Sequence, residues 1–180
     1  MADTVVLVID MLNAYRHPDA DQLMNSAAGI VEPLADLIHR GRAAEHVDVI
    51  YVNDNYGDFT GDWDDIVRAA LDGARPDLVK PILPAPECLR LTKVRHSAFY
   101  ATQLDYLLQQ MRPDRLVITG QVTEQCVLYT ALDAYVRHYD VVVPPDAVAH
   151  IDAGLGEAAL AMMRRNMRAE LTPAAHCLPA

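Results

Sequence analysis

A run of five apolar residues, Val5 to Ile9, is the feature of this chain that most constrains its fold. A strand exposed on one face alternates apolar and polar residues, whereas this run contains no polar residue. We therefore expect a strand that is buried on both faces, as in a parallel sheet covered by helices. Further strand candidates follow at residues 47–52, 88–92, 115–119, 139–143 and 171–172, and helical periodicity occupies residues 20–44, 64–71, 102–111, 123–138 and 154–167.

This alternation of strands and helices along the whole chain indicates βαβ units with right-handed crossovers. We predict an α/β, three-layer Rossmann-like fold with a central, mainly parallel sheet of about six strands flanked by helices. A length of 180 residues suits one core, so residues 1–180 are expected to form a single domain. Four prolines between Gly73 and Pro86 predict an extended surface passage within that domain.

The charge and the cysteine content exclude several classes of function. A formal net charge of −10 argues against binding to nucleic acid and against attraction to anionic lipid. Three widely spaced cysteines without a CxxC pair argue against a disulfide framework and a zinc cluster. No basic, apolar leader is visible before Val5, so we expect a cytoplasmic protein that acts on a small molecule, with no membrane partner.

Cys126 occupies a position suited to a nucleophile. The apolar run 116–118 ends at Thr119-Gly120, and a helical pattern follows almost at once, which predicts Cys126 in the first turn of a helix. The partial positive charge of a helix start is expected to lower the thiol's pKa and to favour the reactive thiolate. The alternative is a buried structural cysteine, the commoner role for a lone cysteine.

Asp10 and Lys93 share one property with Cys126, because each lies at or just beyond the carboxyl end of a predicted strand. Those ends gather along one edge of a doubly wound sheet, where ligands bind. A lysine ammonium would stabilise a thiolate, and an aspartate can take the thiol proton and return it to a leaving amine. Backbone N–H groups of Val122 and Cys126 could bind an oxyanion. Position alone leaves Asp10 equally suited to an Asx turn or a helix cap.

Three sequence blocks carry a resemblance to the isochorismatase-like cysteine hydrolases, which include nicotinamidases and N-carbamoylsarcosine amidase. The blocks run from Val6 to Asn13, from Lys93 to Thr102 and from Thr119 to Val127, in the order found in that family. The resemblance implies Asp10 as the acid and base, Lys93 as the stabilising cation and Cys126 as the nucleophile of a covalent acyl-enzyme. It also implies a cis peptide between Gln121 and Val122, and Gln121 replaces an apolar residue that is common there.

Two departures from the family narrow the expected activity. Metal-dependent nicotinamidases carry an Asp-x-His pair after the second strand, where this chain has Asn53-Asp54-Asn55. Two amides and one carboxylate lack the imidazole ligands that hold zinc or iron, so we predict no metal, no other cofactor and no nicotinamidase activity. Many isochorismatases proper lack the cysteine and cleave a vinyl ether, and Cys126 argues against that branch.

We therefore predict a metal-independent cysteine hydrolase that cleaves the C–N bond of a small amide or ureide. The alternatives are an ether hydrolase of the isochorismatase type, with Asp10 as its key acid, and a catalytically silent binding or scaffold subunit. The resemblance also implies a homodimer or homotetramer. The candidate residues of the substrate pocket are Asn13, Tyr15, Phe59, Trp63 and Tyr100.

Overall fold

A six-stranded parallel sheet forms the centre of the molecule in the computed structural model, which describes residues 3–179. The strands are β1 (Thr4–Ile9), β2 (Val47–Asp54), β3 (Leu89–Lys93), β4 (Arg115–Gln121), β5 (Asp140–Val142) and β6 (Val148–Ala149). Their order across the sheet is β3-β2-β1-β4-β5, and β6 pairs with the end of β4. β1 is central, and its residues are 0–2% exposed, as the continuous apolar run predicted.

Helices cover both faces of this sheet. They are α1 (Ala20–Ala43), α2 (Trp63–Leu71), α3 (Pro76–Val79), α4 (Leu104–Met111), α5 (Leu128–Val136) and α6 (Ala153–Asn166). Alternate residues of β1 point to opposite faces, so Val6 and Val8 pack with α1, whereas Val5 and Leu7 pack with α4, α5 and α6. The two cores confirm the predicted three-layer arrangement with a parallel sheet.

The carboxyl ends of β1 and β4 approach each other unusually closely. Gly120 in β4 has φ +105°, and a Cβ atom at this position would lie 2.1 Å from the carbonyl oxygen of Ile9. Only glycine fits such a contact, because it has no Cβ and tolerates a positive φ. The strand therefore continues through Gly120 to Gln121 instead of turning at Thr119-Gly120, as the sequence had suggested. This places the chain after β4 directly beside the end of β1.

Residues 76–82 of the proline-rich stretch are helical, whereas its composition predicted an extended surface passage throughout. Pro76 opens α3, where a proline costs nothing because the first helical N–H has no partner. A 3₁₀ turn follows at Lys80–Ile82. Leu78, Val79 and Ile82 are buried, and their packing against the α1 face of the sheet stabilises the helical turns.

The carboxyl-terminal region also differs from its pattern in one respect. Residues 171–172 do not form a strand, and the pairing with β5 is limited to a single bridge between Val142 and Glu170.

No helix among residues 3–179 is long and apolar enough to cross a membrane.

Candidate active site

Four neighbouring strands bring four chemically active side chains to one edge of the sheet. Following the order β3-β2-β1-β4, these are Lys93 at the end of β3, Asp54 at the end of β2, Asp10 directly after β1 and Cys126 beyond β4. Residues separated by more than 110 positions in the chain therefore meet, as expected where the carboxyl ends of parallel strands converge.

Lys93 lies at the centre of this group. Its side chain is fully buried, and its Nζ atom lies 2.8 Å from Asp10 Oδ2, 3.3 Å from Asp54 Oδ2 and 3.6 Å from Cys126 Sγ. Burial works against the charge of Lys93, but the negative charges around it outweigh burial and raise the pKa of this lysine. Lys93 is therefore a cation in contact with both the carboxylate of Asp10 and the sulfur of Cys126.

Asp10 is held at both its side chain and its backbone. Its φ of +54° lies in the left-handed region, which non-glycine residues rarely adopt. The backbone N–H of Asp54 donates to Asp10 Oδ1 at 2.8 Å, and the side-chain amide of Gln121 donates to the Asp10 carbonyl at 2.8 Å. Gln121 is 1% exposed, so its polar side chain serves to fix the chain at Asp10.

Cys126 lies in a π-helical turn at Thr123–Val127, which precedes α5. The side chain is buried, and this burial is the main reason that the pKa of Cys126 is raised to about 12, with the Asp10 carboxylate as the second cause. Lys93 and a hydrogen bond from the Val122 N–H act in the opposite direction. The expectation that the helix start would lower this pKa is therefore wrong. Desolvation and a neighbouring anion outweigh the favourable charges.

The contacts within the cluster indicate its resting state. Burial raises the pKa of Asp10 above its usual value, while Lys93 lowers it in opposition. The contact of Asp10 Oδ2 with Lys93 Nζ at 2.8 Å and the hydrogen bond from the Asp54 N–H favour the carboxylate form of Asp10, and the raised pKa of Cys126 favours the thiol. This arrangement allows a proton to pass from Cys126 to Asp10, which is the work of a general base.

The backbone before Cys126 contains the cis peptide bond that the family resemblance implies, between Gln121 and Val122. The amides on either side of Cys126, those of Gln125 and Val127, both donate to the carbonyl of Val122. The role of the Val122 and Cys126 amides in binding an oxyanion stays a prediction.

Two of the pocket candidates lie beside this cluster and serve the local backbone. The Oδ1 atom of Asn13 accepts a hydrogen bond from the Tyr15 N–H at 2.7 Å, which closes a turn after β1. The Tyr15 hydroxyl donates to Oε1 of Gln121 at 3.3 Å, and Tyr15 is 3% exposed. Tyr15 thus packs behind the residue that holds Asp10.

The other three pocket candidates are less closely associated with the cluster. Phe59 and Tyr100 are 78% and 60% exposed, and no hydrogen bond among residues 3–179 joins either side chain to Asp10, Lys93 or Cys126. Trp63 opens α2 and packs against the α1-side core. A contact between these residues and a substrate stays a prediction.

Two residues of the site, Asp54 and Tyr56, are absent from the sequence-based set. Tyr56 is 55% exposed, but its hydroxyl group is tucked inward and donates to the Leu12 carbonyl at 3.1 Å. Burial of this hydroxyl, with the nearby charges of Asp10 and Asp54, raises the pKa of Tyr56 well above its usual value. The sequence signal that could have found Asp54 is its position, since it ends a strand as Asp10 and Lys93 do.

The residues that replace the metal ligands of nicotinamidases are engaged with the backbone. The Asn53 side chain accepts from the Leu12 N–H at 3.0 Å and donates to the Leu12 carbonyl at 3.1 Å. Asn55 Oδ1 accepts from the Gly57 N–H at 3.0 Å. Within the described part of the chain, no three His, Cys, Asp or Glu side chains are arranged to hold a metal ion. These residues do not fit the metal site of that subgroup.

Comparison with known proteins relates the chain to one family. Residues 4–176 match the isochorismatase domain. The isochorismatase family protein YaaI of Bacillus subtilis is 34% identical over 171 residues, which cover 95% of this chain and 94% of that protein. The ureidoacrylate amidohydrolase RutB of Caulobacter vibrioides is 31% identical over 178 residues, covering 80% of this chain and 76% of that protein.

Solved structures agree with this relationship. N-carbamoylsarcosine amidase from Thermoplasma acidophilum is 26% identical and superimposes with a TM-score of 0.75 over 99% of this chain and all of that one. A cysteine hydrolase from Pseudomonas syringae is also 26% identical, with a TM-score of 0.77 over 96% of this chain and 89% of that one. The chain therefore belongs to the isochorismatase family and is a hydrolase.

Proposed function

We propose that the protein is a metal-independent cysteine amidohydrolase that cleaves the C–N bond of a small amide or ureide through an acyl-enzyme on Cys126. The observation that carries this proposal is the position of Lys93 Nζ, 2.8 Å from the Asp10 carboxylate and 3.6 Å from the Cys126 sulfur. A base, a cation and a thiol in contact are the parts that nucleophilic acyl transfer requires. The amidohydrolase and amidase relatives support the same chemistry.

The reaction proceeds in two halves. Asp10 accepts the thiol proton as the Cys126 sulfur bonds to the carbonyl carbon, and the oxyanion that forms is stabilised by Lys93 and by the Val122 and Cys126 amides. Collapse of this intermediate breaks the C–N bond, and the leaving nitrogen takes the proton from Asp10. Water then attacks the thioester with Asp10 as base, which releases the acid and restores the thiol.

No step of this cycle requires a metal ion. The amides of Asn53 and Asn55 are committed to backbone hydrogen bonds, and Lys93 supplies the positive charge that polarises the reacting group. Activity is therefore expected to survive treatment with a chelator such as EDTA.

A panel of small amides and ureides, screened for release of ammonia or amine, tests the proposal. Wild type should turn over at least one member, Cys126→Ala should show no turnover, and Cys88→Ala, which removes a free thiol outside the cluster, should match wild type. Amide turnover retained by Cys126→Ala would contradict the mechanism. Isochorismate is tested beside the panel by following cleavage of its vinyl ether, because this reaction releases no ammonia, and equal cleavage by wild type and Cys126→Ala would favour ether-type hydrolysis with Asp10 as acid.

A further inference from the structure

The cluster contains one carboxylate more than the proposed acyl transfer uses. The single positive charge of Lys93 is shared by Asp10 at 2.8 Å and Asp54 at 3.3 Å. With Cys126 as a thiol, one positive and two negative charges leave an excess of one negative charge. The thiol proton moves within the cluster when it passes to Asp10, so this excess is the same before and after proton transfer.

Asp54 is the charged member of the cluster that solvent reaches most easily. Its side chain is 24% exposed, against 10% for Asp10 and 0% for Lys93. Its position is fixed, because Oδ1 accepts the Tyr56 N–H at 2.7 Å while Oδ2 faces Lys93. Asp54 therefore holds a carboxylate that contacts both solvent and Lys93, the cation that also contacts the Cys126 sulfur.

We propose that Asp54 is a specificity-determining residue, which disfavours carboxylate-bearing substrates and restricts the site to uncharged or cationic amides and ureides. This inference rests on the amide-cleaving function proposed above and names its substrate class. A neutral amide leaves the excess at one negative charge through attack and collapse, because the oxyanion replaces the thiolate. An anionic substrate would double that excess in a poorly hydrated site, where like charges repel strongly.

The charge of Arg75 lowers the pKa of Tyr15, but this arginine makes a bidentate pair with Asp77 at 2.6–3.1 Å. Arg95 is exposed and lies two residues after Lys93, so it is a cation that could offset the charge of Asp54. The experiment below detects such an offset as a loss or reversal of the predicted preference.

The test uses two alkylating reagents that differ in charge, neutral iodoacetamide and anionic iodoacetate. The whole protein is labelled, and the rates of reaction at Cys126 are measured by mass spectrometry of the peptide that contains this residue, because Cys88 and Cys177 are also free. The ratio of the two rates is normalised to the same ratio for N-acetylcysteine. Both reagents consume the same thiolate, so any change in the Cys126 pKa cancels in the ratio. Asp58→Asn is the matched control, because it removes an exposed carboxylate from the same loop.

For wild type and Asp58→Asn we expect a normalised preference for iodoacetamide on the order of tenfold, falling to about threefold or less in Asp54→Asn. The absolute rate with iodoacetamide should rise in Asp54→Asn, since loss of a nearby negative charge favours the thiolate. A purely structural role of Asp54 would not change the charge preference. A wild-type ratio near one, a preference for iodoacetate, or a ratio unchanged in Asp54→Asn would overturn the proposal.

A second measurement needs no variant and keeps the proposal open to refutation if Asp54→Asn fails to fold. Added salt screens charge repulsion, so the wild-type rate with iodoacetate should rise with ionic strength while the iodoacetamide rate stays constant. Equal salt responses of the two reagents would refute the proposal. Alkylation of Cys126 needs no turnover, so the charge preference is measured independently of the amide panel. If no amide of the panel is turned over, that result counts against the proposed function and not against the role of Asp54.

Discussion

Replacing Asp10 with Asn should change thiol reactivity and catalysis in opposite directions. Asn keeps the shape of the side chain and can still accept the Asp54 N–H that now reaches Asp10 Oδ1 at 2.8 Å. It removes the negative charge that, after burial, contributes most to the raised pKa of Cys126. It also removes the base that takes the thiol proton during attack.

The expected sizes of the two effects follow from these roles. Loss of the carboxylate should lower the Cys126 pKa by about one to two units from its value of about 12, so alkylation by iodoacetamide at pH 8 should become about 10- to 100-fold faster. Turnover should fall by about 10²- to 10⁴-fold, which is the usual contribution of a positioned general base. Lys93 retains Asp54 at 3.3 Å and stays charged.

Two assays on the same preparations check this prediction, alkylation of Cys126 followed by mass spectrometry and release of ammonia from the best amide of the panel. Asp58→Asn serves as the control for loss of a carboxylate outside the cluster, and neither rate should change there by more than about twofold. A fall of alkylation together with turnover in Asp10→Asn would refute the reasoning, because it would mean that Asp10 generates a standing thiolate in the resting enzyme.

Three further perturbations have defined outcomes. Lys93→Met should abolish turnover and lower the free energy of unfolding, measured in urea, by about 3 kcal/mol or more, because two carboxylates lose their cation. Lys80→Met removes an exposed lysine and should have little effect. Equal stability of the two variants would contradict the buried ion cluster. Gly120→Ala should destabilise the fold by about 3 kcal/mol or more, since its Cβ would lie 2.1 Å from a carbonyl oxygen. Gly29→Ala, whose Cβ would meet no atom within 4 Å, should stabilise the fold by up to about 1 kcal/mol. Thermal unfolding checks both variants, and a change of stability in the opposite direction in either would contradict the prediction. The pKa of Cys126 is raised in the fold from 9.0 to about 12, so its contribution to stability is complete below pH 9 and is lost as the pH rises towards 12. Between pH 8 and pH 10, wild type should therefore lose about 1 kcal/mol more than Cys126→Ala in denaturant titrations, and equal losses would place the thiol pKa near its usual value.

The sheet and its helices follow closely from the sequence pattern. The apolar run at Val5–Ile9 predicted a central strand, and β1 is the middle strand with helices on both faces. The convergence of Asp10, Lys93 and Cys126 also followed, because each ends or follows a strand and parallel strands end at one edge. These inferences depend on local pattern and on topology, which sequence periodicity records directly.

Properties that depend on three-dimensional packing were not accessible in the same way. A helix start near Cys126 suggested a lowered thiol pKa, but desolvation and Asp10 raise it, and both effects depend on how deeply the side chain is packed. The four prolines from Pro76 to Pro86 suggested an extended passage, yet burial of Leu78, Val79 and Ile82 stabilises helical turns at residues 76–82. Tertiary packing overrode local propensity in this segment.

The surroundings of the cluster illustrate the same limit. Asp54 stands in the stretch that replaces the metal-ligand pair, and only its position after a predicted strand indicated that its carboxylate could lie beside Lys93, its partner residue on the adjacent strand. The inward position of the Tyr56 hydroxyl depends on the left-handed backbone at Tyr56 and Gly57, which a polar loop sequence does not specify. Loop residues near a site are thus the part of an active centre that sequence patterns predict least well.

The most direct test of the central claim is detection of the covalent intermediate. Wild-type protein is mixed with a turned-over amide, quenched in acid within milliseconds to seconds, digested, and analysed by mass spectrometry. We expect the peptide containing Cys126 to gain the mass of the substrate's acyl group during turnover and to lose this adduct as the substrate is exhausted. The peptides of Cys88 and Cys177 should stay unmodified. Steady turnover without an acyl adduct on Cys126, in a protein whose Cys126→Ala variant remains active, would contradict it.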